Sequence, residues 1–211
     1  MSISPKVKIC GLTRPEDAQL ALQAGAHYFG MIFYPGSPRC VSAGQAKEIL
    51  SLIPSDRSVG VTVMPSLEDL AELKTLGFAH FQVHFDSGID LATIAGWADS
   101  VGLERLWLAP RLRPGTELPS DILKQANTFL IDTYSEQHYG GSGETGDWEG
   151  FCQLQGLYPE KKWILAGGLN PDNIAKALDV CPMRFIDVNS GVESAPGIKD
   201  PDKIRALFDV L

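Results

Sequence analysis

The sequence predicts a (β/α)8 (TIM) barrel over residues 1–211, folded as one domain. Two observations carry that expectation. Short apolar runs rich in β-branched and aromatic residues alternate eight times with amphipathic stretches. Their repeat of roughly 25 residues is what parallel strands joined by helical crossovers require. The first run also ends in a lone Gly11, and the glycine clusters come late. A doubly wound open sheet more often carries a glycine fingerprint after its first strand.

The strands are expected at 7–10, 28–33, 58–63, 80–83, 105–109, 128–132, 163–166 and 185–188, by length and by β-branched and aromatic content. Helices are expected at 15–23, 43–52, 67–76, 91–101, 120–125, 148–155, 171–180 and 202–211. Pro15 opens the first and Gly25 closes it; Ser42 and Ser66 are N-cap residues for the second and third; Gly77 follows the third as its C′ residue. Asn170-Pro171 reads as an acceptor cap followed by Pro at the first helical position. No linker, low-complexity tract or charge run divides the chain.

Composition narrows the partners. The chain has 211 residues, 44% of them hydrophobic, and a net charge of −8. That sign repels phosphate backbones and anionic lipid, so no nucleic-acid or membrane partner is expected. An anionic small molecule can still bind through a local patch of N–H groups and a few cations. The four cysteines, Cys10, Cys40, Cys152 and Cys181, show neither C-x-x-C spacing nor a His at zinc-ligand distance. They read as reduced thiols in a cytoplasmic protein with no metal site. The N-terminus lacks the basic region and apolar run of a signal peptide, and no apolar stretch reaches membrane-spanning length.

In a barrel of this kind the active site lies at the C-terminal strand ends. That rule selects Cys10, Tyr34, Val63, Met64, His84, Pro110, Asp132, Gly167, Gly168, Asn189 and Ser190. A thiol at Cys10 would face the barrel mouth, and its pKa near 8.5 would have to fall for it to act as a base at neutral pH. The plain alternative is a small buried hydrophobe. Asp132 ends an apolar strand, where partial desolvation would raise its pKa and suit it to donate a proton. Its plain alternative is a turn or cap aspartate. The glycine-rich stretches 166–171 and 189–193 follow the seventh and eighth strands. Those loops commonly form the phosphate site of such barrels. Arg39, after the second strand, has a guanidinium suited to a carboxylate, or is a solvated loop arginine. His84 has no visible partner and reads as lining or structure. Trp97, Trp107 and Trp163 read as core.

Together these segments resemble the phosphoribosylanthranilate isomerase family. The matching pieces are KICGLTR (8–14), GMIFYPGSPR (30–39), QVH (82–84), LIDT (130–133), GGSGETGDW (140–148), AGGLNPDN (166–173) and DVNSGVESAPG (187–197). They run in order along the whole chain. The chain departs from the family at Glu144, where a Lys is usual, at Gly146, at Phe85-Asp86 after the QVH segment, and at Cys40, where a Tyr is common.

The resemblance implies an Amadori rearrangement of N-(5-phosphoribosyl)anthranilate in tryptophan biosynthesis, without a cofactor. It implies Cys10 as general base and Asp132 as general acid. Arg39 would take the anthranilate carboxylate and Asp187 would sit near the substrate. Gly168, Ser190 and Gly191 would hold the phosphate. The oligomeric expectation is a monomer or homodimer. Two other readings stay open on the residues alone. One is another phosphosugar barrel enzyme, although an epimerase would need more metal-binding His and Asp at strand ends and an indole-glycerol-phosphate synthase a strand-end lysine. The other is a degenerate barrel acting as a binding subunit.

Overall fold

Eight parallel strands close on themselves, each bonded to its neighbour in sequence and the last back to the first. The computed structural model describes residues 4–86, 88–112, 118–132 and 147–211. The strands are β1 (Lys6–Ile9), β2 (Tyr28–Ile32), β3 (Ser58–Val63), β4 (His80–Asp86), β5 (Leu106–Arg111), β6 (Thr128–Ile131), β7 (Lys162–Leu165) and β8 (Phe185–Val188). The helices are α1 (Pro15–Ala24), α2 (Ala43–Leu50), α3 (Leu67–Thr75), α4 (Leu91–Val101), α5 (Ser120–Leu123), α6 (Trp148–Leu157), α7 (Ile174–Val180) and α8 (Pro201–Val210). A short antiparallel pair, β9 (Glu193–Ala195) and β10 (Ile198–Lys199), follows β8 and is not among the expected elements.

Local chemistry sets the helix starts. Ser42 and Ser66 each close a capping box, with Gln45 and Asp69 as the reciprocal partners. Each box satisfies N–H groups that a helix N-terminus leaves without an intrahelical acceptor. Gly25 and Gly77 follow α1 and α3 with left-handed backbones, as expected.

Four elements differ most from the sequence reading. α7 begins at Ile174, not at 171. Asn170 does accept the N–H groups of Asp172 and Asn173, but Asn173 folds its own side chain back onto Asn170 N and the Gly168 carbonyl. The Asn-Pro signal therefore builds a turn that leads into the helix. β4 and β5 run further than expected because they pair with each other out to Asp86 and Arg111. α5 spans only Ser120–Leu123.

The core has two parts because strand side chains alternate between faces. Outward residues, among them Phe29, Phe81, Phe129 and Trp163, pack with the helices in one large cluster. Inward residues form a second cluster that includes Cys10, Val61, Trp107, Leu130 and Ile164. Toward the N-terminal strand ends, the rings of Tyr28, His80, Trp107 and Phe185 contact one another at centroid distances of 4.8–5.6 Å. The same four rings line a second cavity, of about 450 Å³, at that end. The Phe85 departure from the family is an outward residue, fully buried against Trp97.

Candidate active site

A cavity of about 400 Å³ opens at the C-terminal strand ends. The seven residues given site roles by the resemblance line it: Cys10, Arg39, Asp132, Gly168, Asp187, Ser190 and Gly191. Of the other strand-end residues, Tyr34, Val63, His84, Gly167 and Asn189 line it too, and Met64 and Pro110 do not. Strand alternation explains the convergence. Lys8 and Cys10, Gln82 and His84, and Leu130 and Asp132 are spaced by two along their strands, so each pair shares the inward face. Cys10 lies one residue beyond β1 but keeps strand geometry by donating its N–H to the Val188 carbonyl at 2.9 Å. Thr133, Glu144 and Gly146 lie outside the described residues.

The floor of the cavity is charged. Lys8 is fully buried, and its Nζ donates to Asp187 Oδ1 at 2.9 Å. An ammonium without a partner at that depth would cost several kcal/mol. Burial alone would lower the Lys8 pKa, but Asp187 and Cys10 outweigh it and hold it above its ordinary value. Burial pushes the Cys10 thiol up; Lys8, and more weakly Lys199, pull the other way without cancelling the rise. The expected fall in the Cys10 pKa is thus not met in the ligand-free site, because desolvation of a thiolate here exceeds the help from the neighbouring cations.

Arg39 is no solvated loop residue. Its guanidinium grips Glu193, with Nε 2.9 Å from Oε1 and Nη2 2.7 Å from Oε2. Glu193 also takes Lys199 Nζ at 2.9 Å. Burial works against the Glu193 carboxylate, but Arg39 and Lys199 outweigh it, so its pKa is lowered. Lys199, itself buried, donates to both the carbonyl and the side chain of Asn189. The network fixes the Arg39 fork against the loop after β8, with Nη1 as the end that Glu193 does not occupy.

That loop and the one after β7 meet at a glycine. A side chain on Gly191 would collide with the Leu169 carbonyl. Gly168 has φ +64°, a left-handed conformation that disfavours any side chain. Its carbonyl is pinned by the amides of Asn170 and Asn173, at 3.2 and 2.8 Å. Across the planar peptide the Leu169 N–H therefore points the other way. The two loops place backbone from Gly168, Ser190 and Gly191 along one wall of the cavity.

His84 completes another wall and pairs with Gln82, their side-chain nitrogens 2.8 Å apart. Burial, reinforced by Lys8, pushes its pKa down to about 4, so the ring is neutral near pH 7. Sequence reasoning missed Lys8, Gln82, Glu193 and Lys199 as parts of the site. Lys8 carried a usable signal, being a lysine two residues from Cys10 inside a buried strand. Glu193 and Lys199 carried none, since their pairing depends on how the segment after β8 folds back.

The chain is similar to known proteins along nearly its whole length. The family model for N-(5'-phosphoribosyl)anthranilate (PRA) isomerase matches residues 7–210. The N-(5'-phosphoribosyl)anthranilate isomerase of Pseudomonas fluorescens is 40% identical, with 97% of this chain and 94% of the relative covered. The crystal structure of phosphoribosyl anthranilate isomerase from Thermus thermophilus superposes with a TM-score of 0.79 at 30% identity, covering 97% of both chains. A phosphoribosyl anthranilate isomerase solved in complex with reduced 1-(o-carboxyphenylamino)-1-deoxyribulose 5-phosphate superposes with a TM-score of 0.73 at 28% identity, covering 98% of this chain and 97% of that one.

Proposed function

The chain belongs to the N-(5'-phosphoribosyl)anthranilate isomerase family, an isomerase of tryptophan biosynthesis, and on that premise we propose that Cys10 and Asp132 carry its acid–base chemistry. The reaction is an aldose–ketose isomerisation in which hydrogen moves within one substrate, so one acid and one base suffice without a cofactor. Asp132 protonates the furanose ring oxygen, and the ring opens to a Schiff base. The Cys10 thiolate removes the proton at C2′. The resulting enolamine tautomerises to the ketone of 1-(2-carboxyphenylamino)-1-deoxyribulose 5-phosphate.

The observation that supports this most is that both groups line one cavity from β1 and β6, three strands apart around the ring. A relative's complex with a reduced form of that product shows a ligand of this chemistry bound in the same fold. Backbone N–H groups of Gly168, Ser190 and Gly191 hold the substrate phosphate. They suit an acidic protein, because they supply positive potential without adding net charge. Asp187 anchors Lys8 beside the sugar, and the free end of the Arg39 fork takes the anthranilate carboxylate. The cytoplasm, and a monomer or homodimer, complete the proposal; all four cysteines are free thiols.

The purified chain is expected to convert N-(5-phosphoribosyl)anthranilate to product with loss of substrate fluorescence, and to restore growth of a tryptophan auxotroph lacking this step. Folded protein that does neither would favour the reading of a binding subunit. Arg39→Ala is expected to raise KM about 10- to 100-fold, the loss of a charge-assisted hydrogen bond. The fall in kcat should be smaller, because a carboxylate grip acts on substrate and transition state alike. An unchanged KM in steady-state assays removes Arg39 from substrate binding.

A further inference from the structure

Gly30 sits opposite two heads at once. A Cβ built there would lie 2.9 Å from Cys10 Sγ and 3.0 Å from both Lys8 Cε and Lys8 Nζ. The thiol and the ammonium thus share the space that any other residue at position 30 would fill. Their separation falls within the roughly 6 Å over which an opposite charge shifts a titration. We propose that Lys8 is a positioning residue for the proton transfer: its ammonium is the counter-charge of the Cys10 thiolate, and Asp187 sets how strongly that charge acts. The proposal rests on the reading of Cys10 as base.

The geometry leaves Lys8 little else to do. Its side chain is fully buried in the barrel axis, and Asp187 engages one of the three ammonium hydrogens at 2.9 Å. A purely structural buried pair would be matched or bettered by apolar residues of similar volume. Here the pair stands beside the group that must carry negative charge. When Cys10 loses its proton to solvent, the Lys8–Asp187 pair becomes a three-member array with one cation between two anions. When the thiolate takes the C2′ proton, the array returns to a neutral thiol beside a closed ion pair. Lys8 keeps its proton throughout.

The other charged and titratable groups around Cys10 are few. Lys199 on β10 adds a second, weaker positive influence, and Asp187 on β8 opposes it. His84 on β4 is held neutral, with Lys8 among the causes. Asp132 after β6 and Arg39 after β2 line the same cavity. Among these, Lys8 and Asp187 act on the thiol with opposite signs, which makes the proposal separable from a packing role.

The test is the pH dependence of Cys10 alkylation by iodoacetamide in the ligand-free protein, with the Cys10 peptide followed by mass spectrometry. Lys8→Met keeps the volume and removes the charge. It should move the titration alkaline and slow alkylation at pH 8 about tenfold or more, one pKa unit being tenfold in thiolate. Asp187→Asn should move it the other way and speed alkylation, although the same substitution slows turnover. The low-pH limb of kcat/KM should shift in the same two directions. An unmoved titration in folded Lys8→Met, or equal shifts of one sign in both variants, overturns the proposal. If Lys8→Met does not fold, Asp187→Asn decides by its sign. Failure of the base reading itself shows separately, as retained turnover in Cys10→Ala.

Discussion

Cys10→Ala is expected to lower kcat by about 10²- to 10⁴-fold, the usual contribution of a positioned proton-transfer group. KM should change little, because a thiol that takes a C–H proton contributes to the transition state more than to binding. The fold should survive. Cys10 is 3% exposed, and losing one sulfur atom opens a small void next to an existing cavity, worth about 1 kcal/mol. Single-turnover fluorescence and a thermal melt separate the two effects, and kcat within threefold of wild type in a folded variant would exclude the base role. The wild-type pH profile carries the matching sign. Burial raises the thiol pKa, the active form is the thiolate, and so kcat/KM should climb as pH rises above neutral. The same rise makes the thiolate a stronger base once it is formed, so the site exchanges thiolate population for proton affinity.

Asp132→Asn is expected to cost a similar 10²- to 10⁴-fold in kcat, for a different reason. The amide keeps the shape and the hydrogen-bonding capacity of the carboxyl but has no proton to give to the ring oxygen. Ring opening would become rate-limiting. Substrate already in the open-chain form would therefore be turned over faster than the cyclic anomers, in a burst ahead of the slow phase. Equal rates for mutant and wild type across the whole time course would remove Asp132 as the acid.

Much of this was legible in one dimension because it depends on local rules. Strand period and helix caps are set within a few residues, so the order of elements emerged, with differences mainly at the ends. The exceptions are instructive. Asn170-Pro171 has the chemistry of a helix start, and Asn170 does accept the N–H groups of Asp172 and Asn173, yet Asn173 folds its side chain back onto Asn170 N and the helix waits until Ile174. β4 and β5 lengthen through their mutual pairing, which no window of either strand contains. Strand alternation also carried the functional reading, since Cys10 and Asp132 can share a cavity only if both fall on inward positions.

By itself the sequence determined the closed alternation of strands and helices, the two strand ends that bear the thiol and the acid, and the two late glycine loops. Tertiary structure alone decided how charge is distributed among them. It joined Arg39 to Glu193 across 154 residues and Lys8 to Asp187 across 179, and it lifted the Cys10 thiol above its free value. The physical reason is that propensity and periodicity act between near neighbours. Desolvation and Coulomb energy depend on which distant residues are brought within a few ångströms in a water-poor interior.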